Sequence, residues 1–428
     1  MLGMIAFLTA SLYILYYCNV SYLECIKKVY VLLLAIPLSY LDGFNTIDAL
    51  KIGIFSVPQL IVIETFAIGL ICKAREQRIV IQKKNDLLVL LLFSLYMFDL
   101  AFNIDRPLAI KDASTYIIPM LLLLSVRIFS SRIDCMEFVD LSVRGLFYNS
   151  IILTIAYLTI WKMAGGNGRF GVTVESLYVF SIPVMFAKVL DKNEKYNMRV
   201  RYAIGVGLQF FLLFVSQTRT LIIVVSFLMF LAIIRLVKYK KTVLKGVTLF
   251  SLVVCIFTAG IVYVIQIGGN GTGWASRMYE LIQTGILTQS NSIRTRLIHF
   301  YIPQIVSHPL GHGFGYPMYN WVLSNNQKMI LSEEITLGVD NFILTYCYKF
   351  GYFLFIVFII LLVKAYTQFY RYLKNHDQDG TSMIGYYAIL TLLLPTALMS
   401  GQILDNFTIS CFFQLFIAVN IQQKRREK

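Results

Sequence analysis

The sequence predicts an all-α polytopic membrane protein: a bundle of about twelve to thirteen transmembrane helices with one large helical loop on its outward side. Three observations predict it. Of the 428 residues 58% are hydrophobic and only 14% charged, where soluble domains carry about 25% charged residues. Mean hydropathy is +0.70. Apolar runs recur along almost the whole chain, many of them near the roughly 20 residues an α-helix needs to cross the hydrocarbon core. The alternating segments of about 10 residues that would mark a β-barrel do not occur.

In order, thirteen spans are centred near residues 9, 34, 63, 95, 122, 154, 183, 210, 229, 257, 354, 392 and 413. The opening "MLGMIAFLTASLYILYY" lacks a basic leader and a small-residue cleavage site, so it reads as an uncleaved span. The second span, Val29 to Leu41, is short, and "SQTRT" (216–220) makes a tight hairpin between the eighth and ninth. The chain forms a single transmembrane domain, 1–428, with residues 267–341 inserted as the loop.

The net charge of +15 comes mainly from alternate short loops: "CIKK", "CKAREQR", "DKNEKYNMRVR", "KYKK", "YRYLKN" and the tail "QKRREK". The positive-inside rule accounts for this pattern and assigns those loops and the C-terminus to the cytoplasm. No nucleic-acid partner is needed to explain it. "GGNGRFG" (165–171), "SQTRT" and the stretch from Ile267 to Asn341 then face outward. None of the seven cysteines falls in the long outward loop, and no CxxC or Cys/His zinc spacing occurs.

A loop of 75 residues in a compact bundle is usually functional. "WASRMYELI" places Trp274, Met278, Leu281 and Ile282 on one helical face with Arg277 opposite, a pattern for a helix at the membrane surface. "NSIRTRLIHFYIPQIVSHP" places Leu297, Ile298, Tyr301, Ile302, Ile305 and Val306 along a second amphipathic helix capped by Asn291 or Ser292. Pro303 should kink or break that helix. "SHPLGHGFGYP" (307–317) ends it and turns the chain back.

Arg294 and Arg296 stand near the start of the second loop helix, where unpaired N–H groups already favour an anion. Arginine binds phosphate bidentately. The pair can cradle a diphosphate or lie against lipid headgroups. Arg219 at the hairpin tip and Arg169 in the glycine loop are further outward arginines, each open to an interfacial or solvated role. Arg277 joins them as a substrate-binding candidate. Asp99, Glu175, Asp340 and Asp405 gather toward outward span ends and could take a proton or pair with the arginines. Glu64, near mid-span, points to function or to burial in its neutral form. His308 and His312 are four apart, but Pro309, Gly311 and Gly313 forbid the continuous helix a zinc motif needs, so no metal is expected. No Walker A loop or nucleophile motif is present, and no cofactor is expected.

Together "SQTRTLIIVVSFL", "RTRLIHFYIPQIVSHPLGHGFGYP" and "VDNFILTYCYKFGYF" resemble the O-antigen polymerase and ligase superfamily, over roughly residues 165 to 360. The resemblance puts Arg219 at the family's hairpin arginine, Arg296 at its loop arginine and Arg169 in its earlier arginine loop. Pro309, Gly311 and Gly313 fall at its turn, and Asn341 and Gly351 in the following span. It implies a GT-C-like, metal-free glycosyltransferase of the cytoplasmic membrane whose donor and acceptor are undecaprenyl diphosphate-linked oligosaccharides. An incoming hydroxyl attacks the anomeric carbon, and the diphosphate leaves with charge stabilised by arginines. Catalytic roles fall to Arg219, Arg296 and Asp340. Arg169, Arg277, Arg294, Gly311, Gly313 and Asn341 fall to substrate binding, the glycines allowing close approach to sugar or diphosphate. Membrane lipids and a chain-length regulator are implied partners.

One departure matters. Asp340-Asn341 stands where the ligase branch depends on a His-Asn pair, which favours a Wzy-type polysaccharide polymerase. A ligase acting on lipid A core or protein is the alternative. A lipid-linked oligosaccharide flippase is a third reading, although the internal repeats common in transporters are not detectable.

Overall fold

A computed structural model describes residues 2–19, 21–37, 39–41, 44–45, 50–76, 84–129, 133–161, 170–172, 174–191, 194–216, 219–240, 289–323, 329–339, 341–376, 387, 389 and 406–421. Among them are twelve α-helices: α1 (Leu2–Cys18), α2 (Tyr22–Ala35), α3 (Val57–Glu76), α4 (Lys84–Phe102), α5 (Ala109–Leu124), α6 (Cys135–Ala156), α7 (Glu175–Leu190), α8 (Tyr196–Val215), α9 (Arg219–Lys240), α10 (Gln289–Ser307), α11 (Phe342–His376) and α12 (Phe407–Ile421). Short π-helical segments, Ser125–Phe129 and Tyr157–Trp161, prolong α5 and α6. Four helical stretches are long and apolar enough to cross a membrane: Ala109–Phe129, Cys135–Thr159, Tyr196–Val215 and Phe342–Asn375. Leu2–Cys18, Val57–Cys72, Leu87–Phe102, Leu221–Ile234 and Phe407–Asn420 are shorter apolar helices. The class is that of an all-α polytopic membrane protein.

Eleven of the thirteen expected spans coincide with described helices; those near 257 and 392 lie outside the described residues. The second span departs from expectation. Its helix starts seven residues earlier, at Tyr22, and ends at Ala35, because Pro37 follows and Ser39–Leu41 form strand β1. That strand pairs with β2 (Phe44–Asn45) and with a distant strand (Gly171–Val172), with Ser39 opposite Val172. The α2–α3 and α6–α7 connections therefore meet at one end of the bundle.

Helix α12 is the buried axis. It packs on α5, α6 and α11, and every residue from Phe407 to Asn420 is buried. Around it α2 packs on α6, α7 on α8 and α9, and α3 on α5.

The described part of the outward loop, residues 289–323 and 329–339, is only partly helical, contrary to expectation, and "WASRMYELI" lies outside the described residues. Beyond α10 and the glycine turn, Met318–Leu323 and Met329–Thr336 form an antiparallel hairpin, with Tyr319 opposite Ile335. Aromatic and β-branched residues in "MYNWVL", followed by the polar stretch "SNNQ", carry that signal. Helix α10 begins at Gln289, ahead of the two expected cap residues, and runs through Pro303 without a break. Pro303 and His299, whose carbonyl loses its partner, both lie on the exposed face, where that loss costs little. Only half of its apolar stripe is buried. Leu297 and Tyr301 join Met318, Val339, Leu344 and Tyr348 in a small second core, while Ile298, Ile302 and Val306 are exposed.

Candidate functional site

The glycine turn is the best-defined part of the loop. Helix α10 ends at Ser307, and Gly311, Gly313 and Gly315 take φ of 79°, 82° and 73°. Those values suit glycine and strain other residues. The turn rests on a break in α11 at Gly351, whose φ of 70° and ψ of 171° interrupt the helix. An interrupted helix leaves carbonyls without i+4 partners. The turn supplies them: His312 N–H donates to Tyr348 O at 2.9 Å and Gly313 N–H to Lys349 O at 2.7 Å.

The next two N–H groups go to carboxylates on other helices. Phe314 N–H donates to Asp99 Oδ2 at the end of α4, and Gly315 N–H to Asp112 Oδ2 near the start of α5, both at 2.9 Å. Asp99 Oδ1 accepts from Asn103 at 2.9 Å. Asp112 Oδ1 pairs with Lys349 Nζ at 2.5 Å, with the two side chains 1% and 0% exposed. Arg106, between α4 and α5, donates to the carbonyls of His312 at 2.6 Å and Phe314 at 3.2 Å. Phe314 is fully buried, wedged against Tyr96, Tyr116 and Phe350. Four consecutive backbone donors, 312 to 315, are thus all taken.

The sequence reading assigned Gly311 and Gly313 close approach to substrate. In the structure the protein's own groups approach both glycines closely. A Cβ on Gly311 would meet the Lys349 carbonyl, one on Gly313 would lie 2.8 Å from Asp99 Oδ1, and one on Gly351 would meet the Pro309–Leu310 backbone.

Beside the turn, aromatic rings stack: His308 on His312 at 4.2 Å, and His312 on Tyr316 and on Tyr348, each at 4.4 Å. Arg106 lies 5.2 Å over the Tyr316 ring. Burial, then the His308 and Arg106 charges, lowers the His312 pKa below its ordinary 6.5. The ring is therefore held neutral, and its buried Nε2 has no hydrogen-bond partner among the described residues. A buried, unpaired ring nitrogen is a place for a water or a ligand hydroxyl.

The other expected residues divide into three groups. Arg296 is exposed on α10, seven residues after the helix start at Gln289 and two after Arg294. Arg219 opens α9. The side chains of Arg294 and Arg219, and residues Arg169, Arg277, Asp340 and Asp405 as a whole, lie outside the described residues. Asn341 caps the N-terminus of α11, its Oδ1 accepting from Leu344 N–H at 3.0 Å. Glu64 accepts from Ser11 of α1 at 2.7 Å, and Glu175 lies in the first turn of α7. No group of three metal-ligating side chains occurs among the described residues.

Arg106, Asp112 and Lys349 escaped the sequence reading. Lys349 carried a signal: a lysine inside "NFILTYCYKFGYF" is costly in a membrane unless a partner is buried with it.

The fold defines a multi-pass membrane protein whose longest loop is bound back onto its helices by polar contacts. Residues 204–359, which contain α9, α10, the turn and the first part of α11, match the family model described as O-antigen ligase. The match covers about a third of the chain and supports a relationship to the O-antigen polymerase and ligase superfamily. No curated protein matches the chain.

Proposed function

We propose that the protein is a polysaccharide polymerase. It joins undecaprenyl diphosphate-linked oligosaccharide units on the outer side of the cytoplasmic membrane by transferring the growing chain to an incoming unit. The observation that carries the reading is the family match over residues 204–359, which spans both Arg219 and Arg296. In the proposed step the acceptor hydroxyl attacks the anomeric carbon, the bond to the diphosphate breaks, and the arginines bind the departing diphosphate. Asp340 is the proposed proton acceptor or orienting group, since it stands at the position where ligases carry histidine.

A second reading, ligation of finished glycan to lipid A core or protein, is favoured by the description of the matching family model itself. Complementation separates the two. The gene is deleted in its host, restored as wild type, Arg219→Ala, Arg296→Ala or Asp340→Ala, and surface glycan is resolved on a gel. A polymerase deletion leaves single repeat units, and the arginine variants reproduce that pattern at normal protein level. Full-length polymer retained on the lipid carrier would instead establish ligation.

A further inference from the structure

We propose that Asp112 and Lys349 are a positioning pair that fixes the glycine turn, and through it α10, for glycosyl transfer; this rests on the function proposed above. Asp112 uses both oxygens: Oδ1 on Lys349 Nζ and Oδ2 on Gly315 N–H. One carboxylate therefore joins three elements, α5, α11 and the turn. Asp99 holds the adjacent Phe314 N–H from α4, and Arg106 holds the carbonyls on either side. Asp99, Arg106 and Asp112 all precede the family-matched segment, whereas Lys349 and the turn lie within it.

Helix α10 leads directly into the turn. Tyr301 of that helix ties it to the hairpin, accepting from Tyr319 N–H at 2.7 Å and donating to Tyr319 O at 2.9 Å, and its ring packs on Tyr348 at 5.0 Å. The helix bearing Arg296 is therefore anchored from its C-terminal side by groups that cluster around Lys349.

A buried ion pair is a poor device for stability alone, because well-packed apolar residues of similar volume usually serve as well or better. What an apolar pair cannot supply is an acceptor aimed at Gly315 N–H. That difference separates positioning from mere packing.

Two double variants in purified, membrane-reconstituted protein test it. D112N/K349Q removes both charges but keeps an oxygen for Gly315 and a hydrogen bond between positions 112 and 349. D112L/K349M fills the same space with no acceptor. Turnover and KM for lipid-linked substrate are measured beside hydrogen exchange of the 308–317 peptide. D112N/K349Q is expected to keep turnover and slow exchange. D112L/K349M is expected to accumulate normally, exchange faster at 308–317, and lose roughly 10- to 100-fold in turnover with a smaller change in KM, as for a misplaced reacting group.

Equal turnover in the two variants, or unchanged exchange in D112L/K349M, overturns the inference. If D112L/K349M does not accumulate, D112K/K349D poses the same question with both charges kept and the acceptor lost. Exchange is read without substrate, so a faster turn in a protein that neither polymerises nor ligates glycan would sink the proposed function and leave the positioning role standing.

Discussion

Helix α12 and the corner around the glycine turn are both buried, yet they are built on opposite plans. In α12 no charged side chain occurs; Phe412 packs on Phe138 and Phe180 at 5.3 Å each, and Phe416 on Tyr366 and Phe369 at 5.1 and 5.5 Å. Its contacts are between surfaces and tolerate exchange of one apolar shape for another. At the turn each contact is between designated atoms, two carboxylates, one ammonium and four consecutive N–H groups. Removing one member there leaves its partner buried and unpaired, so tolerance should be low.

The sharpest way to break this contrast is Lys349→Met. It leaves Asp112 buried beside an apolar side chain and should destabilise by about 3–5 kcal/mol, measured by thermal unfolding in lipid nanodiscs. D112N/K349Q should recover most of that loss. A Lys349→Met protein as stable as wild type would mean that the corner is no more demanding than α12.

Gly351→Ala comes next. At φ 70° a non-glycine residue carries about 1–3 kcal/mol of strain, and the new methyl would press on Pro309 and Leu310. Proteolysis within the turn should accelerate, whereas an alanine at Gly207, which has no neighbour within 4 Å, should leave it unchanged.

Phe412→Leu tests the other side of the comparison. A volume-reducing but apolar exchange in α12 should cost less than the roughly 3–5 kcal/mol of a full Phe→Ala truncation, with turnover unaffected. A loss of turnover at full stability would show that α12 also positions the site.

The smallest effect concerns pH. Because the His312 pKa is lower folded than unfolded, the unfolded chain takes up the proton first as pH falls below about 6.5. The contribution of His312 to stability is thus present above that value and lost on the acid side. His312→Gln should flatten the acid limb of a stability–pH curve, while the loss of its ring contacts lowers stability by a pH-independent amount above neutrality.

Much of this was legible in the residues. Apolar runs located eleven of the helices, and Pro309 with its glycines located the turn. The shift of α2 was less so, because hydropathy does not say where a helix yields to a strand that pairs with residues 171 and 172. The hairpin after the turn was missed because "MYNWVL" is a short, almost wholly apolar run without alternation and sits among helical patterns. Asp99 was noticed as an acid at a span end, but its role could not be: its partner, Phe314 N–H, lies 215 positions along the chain.

Helices α1 and α12 mark the division. Both are apolar, and by hydropathy both belong in a membrane. In α1, however, Leu12 and Tyr16 are 70% and 67% exposed, whereas α12 is the buried axis. Composition and periodicity determined the solvent, the helical class and the place of the turn, because those depend on transfer free energy and local backbone preference. Which apolar helix is central, and which carboxylate meets Lys349 and Gly315, depends on surfaces and hydrogen bonds between residues hundreds of positions apart. Only the tertiary structure decided those.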